Sequence, residues 1–255
     1  SKFVKVCLQG TGGDELFGGY PWRYYKVYDA LDQEDFFEQY YDFWQRLVPT
    51  EEKEALFVDE VLDQIDLDAP RKVFKSVFTF NDKLKYDSPQ DHINNSLYFE
   101  IKTFLPGLFL LGDKLSMAHG LEERFPFMDN DLVDFAMKIP VEHKLENLEK
   151  EIDKIDENIN AKKKLYREFD EGKNVLRKAM EEYIPEKILN RKKQGFSAPD
   201  ESWYRGENAK FIKETLINSE TLCTKYISKA YIEKIISEHL NDGVNHRLLI
   251  WSFIN

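Results

Sequence analysis

The feature that most constrains this chain of 255 residues is a glycine-rich loop near its start. Five of the twelve glycines fall within the first twenty residues, after an alternating apolar segment, Val4 to Leu8, that predicts a strand. Asp14 and Glu15 follow the loop and open a predicted helix. Glycine permits positive φ and leaves backbone N–H groups unobstructed, so this layout suits close approach to a phosphate or a metal ion. A tight glycine turn with an aspartate helix cap is the structural alternative.

Asp14 is the first candidate for a metal ligand. It lies at the carboxyl end of the predicted strand, where amides that open a helix favour anions. Mg²⁺ prefers one or two carboxylates together with phosphate and water oxygens. The sequence therefore predicts that Asp14 holds Mg²⁺ beside a bound phosphate.

The overall charge argues against nucleic acid as a partner, because the net charge is −11 and nucleic-acid-binding surfaces are basic. The cysteines, Cys7 and Cys223, and the five histidines show no metal-ligand spacing. We find no signal-peptide pattern, and we expect a cytoplasmic protein. The longest apolar stretch, 104–111, is interrupted by a proline and a glycine and is too short to cross a membrane.

After the first strand, the pattern predicts helices and no second strand. Aromatic-rich helices are expected over 14–48, and a helix over 91–104 buries one face at spacings of three and four residues. Another helix is expected over 106–119. It carries three leucines on one stripe, which we assign to the core: Leu108, Leu111 and Leu115.

Four motifs in order resemble one known family. The run from Gly10 to Tyr20 resembles a signature of the ATP-using synthetase domain of the asparagine synthetase (glutamine-hydrolysing) family. The run from Leu110 to Asp129 resembles its long central motif. The remaining matches are Val175 to Ala179 with Pro185 to Phe196, and His246 to Trp251. The resemblance implies an α/β adenine-nucleotide α-hydrolase-like synthetase domain, of which this portion is mostly α-helical with a single N-terminal core strand.

The resemblance also indicates what this sequence does not contain. The family has an earlier Ser-Gly-Gly-x-Asp-Ser loop for the ATP pyrophosphate, and an N-terminal cysteine in its glutaminase domain; neither occurs here. We therefore interpret residues 1–255 as the C-terminal portion of the synthetase domain, either cut from a longer protein or a natural remnant. The chain alone is expected to be catalytically incompetent or nearly so.

The implied reaction is ATP-dependent amidation of aspartate to asparagine. Aspartate and ATP, with Mg²⁺, give β-aspartyl-AMP and pyrophosphate; ammonia from the glutaminase domain then displaces AMP. By resemblance, Lys193 is the catalytic cation that meets the triphosphate and the acyl-adenylate, with Asp14 as the magnesium ligand. Without the resemblance, the basic triplet that ends at Lys193 would be interpreted as a solvated patch.

The resemblance places the other site residues as well. The glycine loop, with Gln9, Gly10, Gly12 and Gly13, is implied to bind the nucleotide. Three charged residues are implied to line the pocket where aspartate and ATP meet: Asp113, Glu122 and Arg124. From the residues alone, these charges would serve equally as a structural ion pair or a satisfied helix end.

Two departures from the family pattern leave the substrate open. Thr11 stands where the family commonly has an acid that handles the aspartyl-adenylate, and Gln9 replaces a small hydroxyl residue near the nucleotide. A paralogue that amidates another carboxylate, such as a sugar acid or a peptide, is therefore an alternative. A non-catalytic remnant that acts as a binding module is a second, although retention of four charged residues argues against decay: Asp14, Glu15, Arg124 and Lys193.

A charged segment, 145–172, stands where the family usually has a shorter connection. Its apolar residues repeat at steps of three and four: Leu145, Leu148, Ile152, Ile155 and Ile159. An amphipathic helix packed on its own domain is one interpretation. A protruding helical arm that makes a homo-oligomer is the other.

Overall fold

The computed structural model describes residues 1–45, 47–145, 172–191, 204–206, 208–217 and 222–255. They divide into two compact units. The first contains 1–40, 74–145 and 172–191, and the second contains the described residues of 41–73 and 204–255. The candidate site lies in the first unit.

The described residues are mostly helical, as predicted. They form fifteen α-helical segments, most of them short. In chain order these are α1 (Gly13–Phe17), α2 (Pro21–Tyr24), α3 (Gln33–Trp44), α4 (Lys53–Leu56), α5 (Asp59–Leu62), α6 (Ala69–Thr79), α7 (Pro89–Phe99), α8 (Leu105–Met117), α9 (Asn130–Ala136), α10 (Val141–Lys144), α11 (Asn174–Met180), α12 (Glu186–Leu189), α13 (Asn208–Leu216), α14 (Lys229–Asn241) and α15 (Arg247–Ile254). Short 3₁₀ turns span Tyr25–Val27, Thr50–Glu52, Pro126–Met128 and Leu222–Lys225.

The prediction of a single strand is wrong. Strand β1 (Val6–Leu8) pairs in parallel with a second strand, β2 (Glu122–Arg124). Backbone hydrogen bonds extend the pairing on both sides, from Glu122 N to Lys5 O at 2.8 Å and from Gln9 N to Arg124 O at 2.8 Å. Because β2 reads Glu-Glu-Arg, it contains no β-branched or aromatic residue, and only its tertiary pairing makes it a strand.

The prediction that β1 is a core strand is also wrong for the described residues. Val6 is 46% exposed and Leu8 is 75% exposed. The sheet among the described residues has two strands only, so β1 has a partner on one edge. An apolar alternating pattern predicted the strand but not what would cover it.

Helices α7 and α8 form one continuous helical run through a π-helical turn at Glu100–Phe104. Ser88 caps the start, where its hydroxyl accepts a hydrogen bond from Asp91 N. The wide turn directly precedes Pro106, which has no N–H and whose ring would clash with the carbonyl four residues earlier. The sequence predicted two helices separated at this proline, whereas the chain stays helical across it.

The leucine stripe on α8 is not core, contrary to the prediction. Leu111 is 59% exposed and Leu115 is 62% exposed, while Leu108 is half-buried. The face that approaches β2 is the neighbouring one, which contains Leu105, Phe109 and Gly112: Phe109 packs on Phe125 with ring centroids 4.5 Å apart. Helical periodicity identified the repeat but not which of two adjacent stripes packs inward.

The core of the first unit is largely aromatic. Phe36 contacts Tyr40 at 5.4 Å and Phe78 at 5.5 Å between ring centroids. Further buried rings complete the cluster: Phe37, Phe74 and Phe99. The second unit has its own core, which is mainly aliphatic and comes chiefly from α4, α13, α14 and α15. Among the described residues, none of the helices combines the length and apolar character that a membrane crossing requires.

Candidate functional site

The glycine loop folds back on itself and continues directly into α1. Gly12 has φ of 100°, in the left-handed region that favours glycine, and Gly13 N donates to Gly10 O at 3.3 Å. A Cβ on Gly12 would lie 2.9 Å from the Met128 side chain, so the loop sits against the Pro126–Met128 turn. Gly10 faces open space, and Thr11 is half-buried beside it. The loop is therefore fixed on one side and open at its tip.

Gln9 joins the loop to the central motif. Its backbone N–H donates to Arg124 O, and its side-chain Nε2 donates to Glu123 Oε1 at 2.5 Å. Two segments that are 114 residues apart in sequence thus meet at the ends of β1 and β2. In open parallel sheets, ligand sites lie outside the carboxyl ends of the strands, which is where Gln9 stands.

Asp14 forms an ion pair with Lys173, a residue that the sequence analysis missed. Lys173 Nζ lies 2.8 Å from Asp14 Oδ1, and the two side chains are 27% and 25% exposed. The backbone N–H of Lys173 also donates to Phe17 O at the end of α1. These contacts place the Lys173 cation beside α1, the helix that follows the glycine loop.

Two structural features of Lys173 are unusual for a lysine. It has φ of 63°, the one positive φ at a non-glycine residue among those described. It also occupies the N-cap of α11, where serine, threonine, aspartate, asparagine or glycine is usual, and it makes no capping side-chain bond. In the sequence, the signal is that Lys173 lies two residues before the Val175 to Ala179 motif.

Glu15, next to Asp14, is part of the interior. Its side chain is buried and accepts a hydrogen bond from Tyr20 Oη at 3.2 Å. Burial, more than any neighbouring charge, raises the pKa of the Glu15 carboxyl. The two acids that open α1 thus face different environments: Glu15 is buried, whereas Asp14 is partly exposed and pairs with Lys173.

The three predicted substrate residues share one pocket between α8 and β2. The pocket has a volume of about 420 Å³, and its wall consists of Lys5, Asp113, Met117, Gly120, Glu122, Glu123 and Arg124. Within it, the Arg124 guanidinium lies 2.5 Å from Glu122 Oε1, and both side chains are about half exposed. Opposite charges on one wall suit a ligand that is itself charged at both ends.

The described residues do not provide a Mg²⁺ site by themselves. They contain no group of three or more histidine, cysteine, aspartate or glutamate side chains placed to hold a metal ion. Asp14 contributes one carboxylate, and that carboxylate is already paired with the Lys173 ammonium. The role of Asp14 as a magnesium ligand stays a prediction, since Mg²⁺ can be held by one or two carboxylates together with phosphate and water.

Two predictions fall mainly or wholly outside the described residues. Lys193 lies within 192–203, and 146–171 contain nearly all of the charged segment 145–172. The two ends of that segment are described: Leu145 and Gly172 form an antiparallel bridge. The role of Lys193 and that of the segment stay predictions.

Comparison with known proteins decides the family. The protein-family model described as asparagine synthase matches residues 1–255. This chain belongs to the asparagine synthase family. Its family motifs include the glycine loop and the strand β2 that meet at Gln9.

Similar proteins include named asparagine synthetases, and they are longer than this chain. Asparagine synthetase (glutamine-hydrolyzing) 1 of Bacillus subtilis (strain 168) is 29% identical over an alignment 287 positions long, gaps included. The alignment covers 99% of this chain and 40% of that protein. Asparagine synthetase (glutamine-hydrolyzing) 3 of the same strain is 24% identical, covering 92% of this chain and 33% of that protein. Amidase chry2 of Gibberella zeae (strain ATCC MYA-4620 / CBS 123657 / FGSC 9075 / NRRL 31084 / PH-1) is 30% identical over 51% of this chain and 18% of its own length. The chain thus spans two-fifths or less of these relatives. No solved structure matches it significantly.

Proposed function

We propose that this chain is the C-terminal portion of a synthetase domain that uses ATP to activate a carboxylate for amidation, with aspartate as the substrate and asparagine as the product. The glycine loop is tied to the charged pocket by the Gln9–Glu123 hydrogen bond, and this link, with the Asp14–Lys173 pair in the same unit, carries the proposal. Family membership over the full chain supports it.

The chemistry follows from the weakness of a carboxylate as an acyl donor. A carboxylate oxygen attacks the α-phosphorus of ATP, the bond to pyrophosphate breaks, and β-aspartyl-AMP forms. Ammonia then attacks the acyl carbon, AMP leaves with the electron pair of the C–O bond, and the nitrogen loses a proton. Negative charge develops on phosphate oxygens in the first step, so cations fixed near the loop lower the barrier.

The residues of this chain take distinct roles in the proposal. The backbone of Gly10, Gly12 and Gly13, with Gln9, faces the nucleotide, and Thr11 offers a hydroxyl to the adenylate. Lys173 and Lys193 supply positive charge to the phosphates. Asp14 holds Lys173 in place, and Mg²⁺ enters with ATP as part of the substrate. Asp113, Glu122 and Arg124 bind the carboxylate substrate.

The larger organisation belongs to the proposal too. We place the first pyrophosphate loop and an ammonia-supplying glutaminase domain in a longer protein, of which this chain is one part. Its relatives named as asparagine synthetases, more than twice as long, support this arrangement. The segment 145–172 is then an insertion within the synthetase domain.

A second candidate is amidation of a different carboxylate. The Gln9–Glu123 hydrogen bond and Thr11 give this loop a chemistry of its own, and one relative over half the chain is named an amidase. A sugar acid or a peptide carboxyl group would then replace aspartate. Exchange of pyrophosphate into ATP, measured with each carboxylate, separates the two candidates.

The test is carboxylate-dependent exchange of pyrophosphate into ATP. It is made with the chain alone and with the chain extended by whatever its gene encodes upstream of Ser1. We expect exchange that requires aspartate in the extended protein, its loss in Asp14→Ala, and little or none in the chain alone. Asp82→Ala, an exposed aspartate in the loop before α7, is the matched control.

Each outcome has a consequence. Exchange with aspartate that survives Asp14→Ala would contradict the role of the loop. No exchange with aspartate, in a folded protein that binds ATP, would favour the second candidate. Full turnover by the chain alone would overturn the proposed domain organisation.

A further inference from the structure

Glu123 differs from the other charged residues of the pocket in how its carboxylate is held. One oxygen, Oε1, accepts the hydrogen bond from Gln9 Nε2. The other, Oε2, is buried and has no hydrogen-bond partner. A buried acceptor without a donor costs free energy, because water no longer solvates it. A ligand that brought a donor to this oxygen would remove that cost.

The neighbouring helix leaves room for this carboxylate. A Cβ on Gly112 of α8 would lie 2.6 Å from Glu123 Oε2, a distance that side chains do not tolerate. Glycine at this position therefore allows the carboxylate to lie against the helix. Gln9 on one side and Gly112 on the other fix where Glu123 can be.

The pocket as a whole has more acceptors than donors. Arg124 and Glu122 neutralise each other, which leaves Lys5 against two carboxylates, Asp113 and Glu123. The charged side chains of the pocket therefore sum to one excess negative charge, and Lys5 is the cation that Glu122 does not neutralise. A ligand with an ammonium group and a carboxylate matches this distribution, whereas a sugar acid has no cation to offer.

We propose that Glu123, oriented by Gln9, determines substrate specificity by binding the ammonium group of an amino-bearing carboxylate. This inference rests on the proposed function, since it names the class of carboxylate that the site accepts. It assigns the selection to a pair of side chains, one on the glycine loop and one on β2.

The experiment compares two ligands that differ in the amino group. L-aspartate and succinate are both four-carbon dicarboxylates, and only aspartate carries an ammonium. Their binding to the chain is measured by titration calorimetry without ATP, so that the result does not depend on adenylation. We expect Glu123→Gln to weaken aspartate binding about 10- to 100-fold without weakening succinate binding.

A charge-swapped variant separates specificity from structure. Gln9→Glu combined with Glu123→Gln keeps a hydrogen bond between the two side chains but moves the negative charge to the loop. We expect this double variant to recover the thermal stability of the parent and to stay weak for aspartate. Recovery of aspartate affinity would overturn the inference, because a carboxylate at position 123 itself would then not be required.

Two further results would also overturn it. One is an equal loss for aspartate and succinate in Glu123→Gln. The other is a parent chain that does not distinguish the two ligands or binds neither. Carboxylate-dependent pyrophosphate exchange remains a separate measurement, so failure here leaves the proposed activation chemistry to its own test.

Discussion

The carboxylates of Glu100 and Asp14 both pair with a cation in the first unit, but only the Glu100 pair is closed off from solvent. Glu100 is fully buried and accepts hydrogen bonds from Arg23 at 3.1 Å, Tyr24 at 3.0 Å and Tyr40 at 3.5 Å. Asp14 and its partner Lys173 are each about one-quarter exposed. The same type of interaction therefore has a different consequence in each place.

The Glu100 side chain and its partner Arg23 are held in place by contacts on several sides. Burial raises the pKa of the Glu100 carboxyl, and Arg23 opposes that shift by favouring the charged form. The Arg23 guanidinium also stacks on Tyr20, 3.8 Å from the ring centroid. A group held on so many sides contributes to stability, whereas a partly exposed pair beside an open loop remains accessible to a ligand.

Removing the buried carboxylate should produce the largest effect. Glu100→Gln removes the buried carboxylate that pairs with Arg23, and we expect a loss of about 3–5 kcal/mol in the free energy of unfolding. Urea titration followed by circular dichroism measures it. Glu34→Gln is the matched control, because Glu34 pairs with Lys75 while its side chain is 65% exposed. A loss below about 1 kcal/mol for Glu100→Gln would remove the contrast between the two regions.

Lys144 tests whether pairing, rather than burial, makes the Glu100 region stable. Its side chain is 1% exposed, and its Nζ has no hydrogen-bond partner. Burial lowers the pKa of Lys144 from 10.5 to about 8. Between these two values the unfolded chain binds a proton that the folded chain does not, so stability should rise with pH, by up to about 3 kcal/mol.

Lys144→Met removes this cost and its pH dependence. We expect the variant to be more stable than the parent near pH 7, with the difference shrinking as the pH rises from about 8 to 10.5. Thermal unfolding across this pH range measures the difference. Lys138→Met, at an exposed lysine, should not change the pH profile. A variant that is less stable at every pH would mean that the buried amine has a stabilising partner.

Asp14 and Lys173 should respond in opposite directions when an anion binds. Lys173→Met removes the cation that pairs with Asp14 and should weaken pyrophosphate binding about tenfold. Asp14→Asn releases the lysine from its carboxylate and should strengthen binding in magnesium-free buffer. Titration calorimetry with pyrophosphate measures both, and each variant should change the unfolding free energy by less than about 1 kcal/mol. Parallel changes in the two variants would show that the pair is structural, like Arg23–Glu100.

Local patterns in the sequence predicted much of the helical structure. Ile93 and Leu97 lie on the buried face predicted for α7. Strand β2 could not be predicted, because three charged residues become a strand only through pairing with β1. The exposed leucines of α8 show the same limit, since a repeat gives spacing and not the direction in which a helix packs.

The candidate site likewise contains residues that the sequence predicted and residues that it did not. The glycine loop and Asp14 were visible locally, and the structure brings Asp113, Glu122 and Arg124 to one pocket. Lys173 and Glu123 were not foreseen, because their roles arise from contacts with Asp14 and Gln9 more than one hundred residues away in sequence. A pattern within one segment does not contain such contacts.

The smallest effect should come from the backbone at Lys173. Its φ of 63° is costly for any residue with a Cβ and is tolerated by glycine. Lys173→Gly and Lys173→Met both remove the ion pair with Asp14, so the difference between them isolates the backbone. We expect the glycine variant to be more stable by about 1 kcal/mol, measured as the shift between their urea midpoints. Equal midpoints would mean that residue 173 leaves the left-handed region once its ammonium is gone. In that event the Asp14–Lys173 pair itself holds the backbone in place, and the partly exposed pair would share the structural character of the buried one.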